Sequence, residues 1–122
     1  MPEYNGVNMF VDTTNALSSS KVIDLDLDTF ARAVQAGEVT VVDVREPHEF
    51  AAGHIPESVN LPLSRFNPRD LPTPMDRTVV IICQAGVRSR KALGAAQAAG
   101  RSDLKHYPGG MNGWRMHGGD VA

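Results

Sequence analysis

The chain has 122 residues and a mass of 13.2 kDa, enough for one hydrophobic core and one domain. Its single cysteine excludes an intrachain disulfide and a cysteine-rich zinc site, and no apolar run approaches the roughly 20 residues of a bilayer span. The net charge of −2 divides unevenly: residues 21–82 carry six basic and ten acidic side chains, whereas residues 83–117 carry six basic and one acidic. A basic segment that begins at the cysteine suggests an anionic substrate there. Nucleic acid is the weaker expectation, because the chain as a whole is slightly acidic and has no Lys/Arg run interleaved with aromatics.

Residues 1–20 are polar and aperiodic and read as a flexible leader, followed by a domain over 21–118 and a short tail over 119–122. No basic stretch precedes an apolar core, so no signal peptide is read and a cytoplasmic, reducing compartment is expected. Val22-Ile23 predicts a short strand. Asp28 is the expected N-cap of a helix carrying Phe30, Ala33 and Val34 at helical spacing, with Gly37 as its stop. Val39-Thr40-Val41-Val42 is β-branched and nearly all apolar, the pattern of a strand buried on both faces. Pro47 opens a short helix that Gly53 closes. Ser58-Val59-Asn60 predicts another short strand. Four prolines between 62 and 74 then impose a loop with a helical turn.

Thr78-Val79-Val80-Ile81-Ile82 is the strongest strand signal, and it runs directly into Cys83. Residues 88–99 are good helix formers, with Ala92, Leu93, Ala96 and Ala99 on one face. A short edge near 104–107 leads to Pro108-Gly109-Gly110 and a small helix holding Trp114. Alternating strands and helices predict an α/β domain with a mostly parallel sheet in three α/β/α layers.

The chemical centre is Cys83-Gln84-Ala85-Gly86-Val87-Arg88-Ser89, a loop between a buried strand and a helix, where open α/β sheets bind ligands. A short loop there can turn successive backbone N–H groups inward, and with the first turn of the helix they form an anion nest. Gly86 supplies the backbone freedom for the curl. A thiol at the mouth of such a nest has its thiolate stabilised, and Arg88 adds a planar cationic fork. The alternative is an inert cysteine ending a core strand. Glycine and arginine together in the loop favour a reactive one. Arg90 and Lys91 read as the solvated face of the helix.

Three stretches resemble the rhodanese family of sulfurtransferases in its single-domain form. They are Val41-Val42-Asp43-Val44-Arg45-Glu46-Pro47-His48-Glu49-Phe50 with Gly53-His54-Ile55-Pro56 and Asn60-Leu61-Pro62, then the cysteine loop, then Tyr107-Pro108-Gly109-Gly110-Met111 with Gly113-Trp114. The resemblance implies that Cys83 is the nucleophile and persulfide carrier. It also implies that the backbone from Gln84 through Ala85, Gly86 and Val87 to Arg88 holds a small anionic sulfur donor such as thiosulfate. A thiol, cyanide or a sulfur-relay protein would accept the sulfur, with no cofactor, nucleic acid or membrane involved. Asp43 and Arg45 are then expected as structural support, and His54 as a hydrogen-bonded scaffold histidine rather than a general acid or base. His48, His106 and His117 have no metal-ligand spacing, so no metal is expected. Trp114 is most simply a core or lid aromatic.

Two other functions fit parts of the pattern. A cysteine phosphatase or arsenate reductase also uses a Cys-to-Arg loop, but theirs is one residue longer, and the shorter ring here suits a sulfur atom better than a phosphoryl group. A non-catalytic regulatory or binding module of the same fold would have no need of Cys83, Gly86 and Arg88 together.

Overall fold

The computed structural model describes Leu17 and residues 21–122. The leader falls almost wholly outside these residues; Leu17 itself is half-buried against the core. Helix α1 (Leu27–Gln35) is followed by β1 (Val39–Asp43), α2 (Pro47–Ala52), β2 (Val59–Asn60), β3 (Thr78–Ile82), α3 (Val87–Ala98), β4 (Lys105–His106) and α4 (Gly110–His117). Two 3-10 turns, Leu63–Arg65 and Pro68–Asp70, occupy the proline-rich connection. The four strands are all parallel, in the order β2-β1-β3-β4. Among the described residues no helix is long and apolar enough to cross a membrane.

The two central strands are β-branched because both of their faces are buried. Alternation along β3 sends Val80 and Ile82 to one side, with α1 and α4, where Phe30, Tyr107, Met111 and Trp114 pack. Val79, Ile81 and Cys83 go to the other side, with Ala92, Leu93 and Ala96 of α3 and Leu71 of the connection. All five β3 residues are buried, as a middle strand covered by helices requires. The Phe30 ring stacks on Tyr107 at 4.4 Å and meets the Trp114 ring edge-on at 5.7 Å, tying α1 to α4 across that layer.

Three local expectations are corrected. The N-cap of α1 is Asp26, whose carboxylate accepts from the Thr29 N–H, so Asp28 lies inside the first turn. Val22-Ile23 forms no strand. The segment makes a single parallel bridge, Asp24 with His106, since β4 is only two residues long and offers no longer ladder. Ala99 is exposed at the C-cap of α3, and Ser89 takes the remaining place on the buried face.

Candidate active site

β3 delivers Cys83 to the carboxyl edge of the sheet, and the chain must then reverse into α3 within a few residues. Gly86 makes the reversal at φ 97°, in the left-handed region. A Cβ there would also lie 2.7 Å from the Pro108 carbonyl oxygen. The curl brings the Gly86 N–H to 3.0 Å from Cys83 Sγ, and the Ser89 hydroxyl lies 3.2 Å from the same sulfur. Cys83 is 1% exposed. Burial pushes its thiol up, but hydrogen bonds from the Ser89 side chain and from the backbone N–H groups of Ser89, Gly86 and Ala85 outweigh it and hold the thiol below its ordinary value.

The loop is braced from two sides. The first turn of α4 donates to it, Met111 N to the Cys83 carbonyl at 2.9 Å and Asn112 N to the Gln84 carbonyl at 3.1 Å. Gly110, at φ 57°, lets the two backbones approach: a Cβ would sit 2.4 Å from the Cys83 oxygen and 2.6 Å from the Gln84 oxygen. The Gln84 side chain donates to Asn112 Oδ1 and accepts from Arg45 Nη1. Ala85 and Val87 are exposed on the outer rim.

Arg45 and Asp43 form a buried ion pair, with Arg45 Nε at 3.0 Å and Nη2 at 2.8 Å from the Asp43 carboxylate. Arg45 also donates to the Gly53 and Glu49 carbonyls, so one guanidinium fastens the end of β1, helix α2 and the cysteine loop together. Both charges have their hydrogen bonds completed locally, as burial demands. The His54 ring stacks on Phe50 at 3.8 Å, and its Nδ1 lies 2.8 Å from the Phe50 carbonyl, at the end of α2.

Arg88 stands at the start of α3, but its fork closes on Glu49 of α2, Nη1 to Oε1 at 2.6 Å and Nη2 to Oε2 at 2.9 Å. Sequence inspection had no signal for this pair, whose members are 39 residues apart. Arg88 holds the Glu49 carboxyl at about 2, against the opposing effect of burial. Folding therefore depresses this carboxyl, so the pair stabilises the protein above the ordinary carboxylate range and loses that contribution as pH falls toward 2. With side chains 32% and 26% exposed, water screens the pair, and the contribution is about 1 kcal/mol. Glu49→Gln is expected to lower the urea midpoint at about pH 6 and to converge with wild type by about pH 2. Equal deficits at both pH values would show that the loss is of packing rather than charge.

Known proteins share this fold. The family model described as the Rhodanese-like domain matches residues 26–117. A sulfurtransferase of Allochromatium vinosum is 34% identical over 98 residues, covering 80% of this chain and 92% of that protein. A thiosulfate:glutathione sulfurtransferase of Saccharomyces cerevisiae is 36% identical over 95 residues, covering 67% of this chain and 68% of the other. A solved human single-domain sulfurtransferase superposes with a TM-score of 0.66 at 26% identity, over 78% of this chain and 96% of that one. Two longer curated relatives, from Synechocystis and Mycobacterium tuberculosis, are spanned over only 58% and 48% of their lengths.

Proposed function

The chain belongs to the rhodanese-like family, and from that premise we propose that it is a sulfurtransferase carrying a sulfane sulfur on Cys83. The observation that carries the reading is the buried sulfur at the end of β3, which receives the Gly86 N–H at 3.0 Å beside the Ser89 hydroxyl. A thiolate held there attacks the outer sulfur of thiosulfate or a related donor. The donor S–S bond breaks, sulfite leaves with the electron pair, and a persulfide forms on Cys83. A thiol or cyanide then takes that sulfur and returns the thiolate, giving two half-reactions with ping-pong kinetics. The backbone N–H groups that favour the thiolate also favour the negative charge of the persulfide.

The test is to incubate the purified protein with thiosulfate and weigh it. A gain of one sulfur atom on Cys83, removed again by cyanide or a thiol, is expected. Protein that gains no sulfur from thiosulfate, polysulfide or a low-molecular-weight persulfide would instead be a binding module.

Glu49 bears on the choice of donor. Arg88 is near enough to Cys83 for its charge to act on the sulfur, and the Glu49 carboxylate offsets it with a negative charge. Glu49→Gln keeps the size of the side chain and removes that charge. It is expected to raise kcat/KM for thiosulfate by about three- to tenfold, while changing use of an uncharged persulfide donor less than about twofold. Equal changes for both donors would show that the pair only holds α2 against α3.

A further inference from the structure

Behind the sulfur lies a line of polar groups. Ser89 and His106 are fully buried. The Ser89 oxygen stands 3.2 Å from Cys83 Sγ on one side and 2.6 Å from His106 Nε2 on the other. His106 Nδ1 lies 3.2 Å from Asp24 Oδ1, and the Asp24 carboxylate accepts from Arg90 at 2.6 and 3.1 Å. The backbone is built around this line: Leu25 N donates to the His106 carbonyl and His106 N to the Ile23 carbonyl, which places Asp24 beside the imidazole. Asp24 is half-exposed, so the line runs from the buried sulfur to water.

The protons on this line have one consistent order. Asp24 is held ionised, chiefly by the hydrogen bond from Arg90, and can only accept. His106 Nδ1 therefore carries its hydrogen toward Asp24, which leaves the Nε2 lone pair for the Ser89 hydroxyl hydrogen. Burial holds the imidazole below its ordinary value, in the neutral form this order requires. The Ser89 oxygen then presents a lone pair to the Cys83 S–H.

We propose that His106 is a positioning residue for the thiol chemistry: acting through Ser89 it accepts the Cys83 proton, with Asp24 fixing the tautomer that can receive it. The S–H bond breaks as Ser89 gains that hydrogen, and Ser89 passes its own to Nε2. One proton thus moves from sulfur to imidazole with no oxidation or reduction, and the Ser89 hydroxyl ends as a donor to the thiolate. The imidazole then carries both hydrogens, one facing Ser89 and one facing Asp24, and the Asp24 carboxylate balances its positive charge. The other charged groups near the line are Arg88 of α3, closed on Glu49 of α2, and Lys105 of β4, whose ammonium donates to the Val22 carbonyl.

The proposal rests on the sulfurtransferase reading only in making Cys83 the reacting thiol, and its test uses no sulfur donor. The measurement is the pH dependence of iodoacetamide alkylation of Cys83, followed by intact mass, in wild type, Asp24→Asn and His106→Gln. Plain electrostatics predicts that Asp24→Asn lowers the midpoint, because it removes a negative charge and frees Arg90. The relay predicts the opposite sign, a rise of about one unit. His106→Gln is expected to give a similar rise, with no further rise on adding Asp24→Asn. A folded Asp24→Asn protein whose midpoint falls or stays unchanged overturns the proposal, whether or not His106→Gln folds. If the midpoints shift as expected but no persulfide ever forms, the sulfurtransferase reading fails while the relay stands.

Discussion

Cys83→Ser is expected to lower thiosulfate-dependent sulfur transfer by at least about 10^4-fold while leaving the fold intact. Serine nearly matches cysteine in size, and its hydroxyl can take up the contacts to the Gly86 N–H and Ser89 hydroxyl that Sγ has now. The buried site would keep its hydrogen bonds, so stability should change by no more than about 1 kcal/mol. A hydroxyl is barely ionised at neutral pH, however, and holds no transferable sulfur. The variant should show the circular dichroism and melting behaviour of wild type and gain no sulfur from a donor. Because Cys83 is the only cysteine, no second thiol can mask the result. Residual transfer above about one part in 10^3 in the folded variant would move the chemistry off this residue.

The second large effect is expected at Gly110, the first residue of α4. Alanine there must adopt φ 57° and set its Cβ 2.4 and 2.6 Å from the carbonyl oxygens of Cys83 and Gln84. The left-handed conformation costs a non-glycine residue about 1–2 kcal/mol, and relieving contact with two backbone oxygens raises the total to about 3 kcal/mol. In a domain of this size that is a fall in Tm of roughly 10 °C. The displaced atoms belong to the cysteine loop, so thiol reactivity near neutral pH should fall with stability. Gly37→Ala separates the two causes. Gly37 has φ 70° with nothing within 4 Å of its would-be Cβ, so it carries the conformational cost without the collision. A Gly110→Ala protein no less stable than Gly37→Ala would show that the loop yields freely to α4.

The framework and the site differ in how far they could be read from sequence. β1 and β3 are legible because burial on both faces writes them as continuous β-branched runs, and glycine or proline marks the ends of α2. The cysteine loop is legible because it is contiguous. Asp26 and Asp28 could not be told apart as caps, since acidic residues alternate with apolar ones over 24–28 and only the backbone angles single out Asp26. Ser89 stands in the loop motif, yet its part in the site comes from a histidine 17 residues away, and that histidine's from an aspartate 82 residues away. Sequence alone reads Arg88 as an open cation because its counter-charge arrives from α2. Pairings made by the crossing of strands leave no local periodicity, so sequence shows the parts and the fold alone shows which of them meet.

The brace that α4 lays on the cysteine loop also has a consequence in time. A ribosome delivers Cys83 before residues 110–112, and these supply the hydrogen bonds to the Cys83 and Gln84 carbonyls. Until they arrive those two carbonyls lack their donors, so the brace on the loop closes only after the chain has been made through α4.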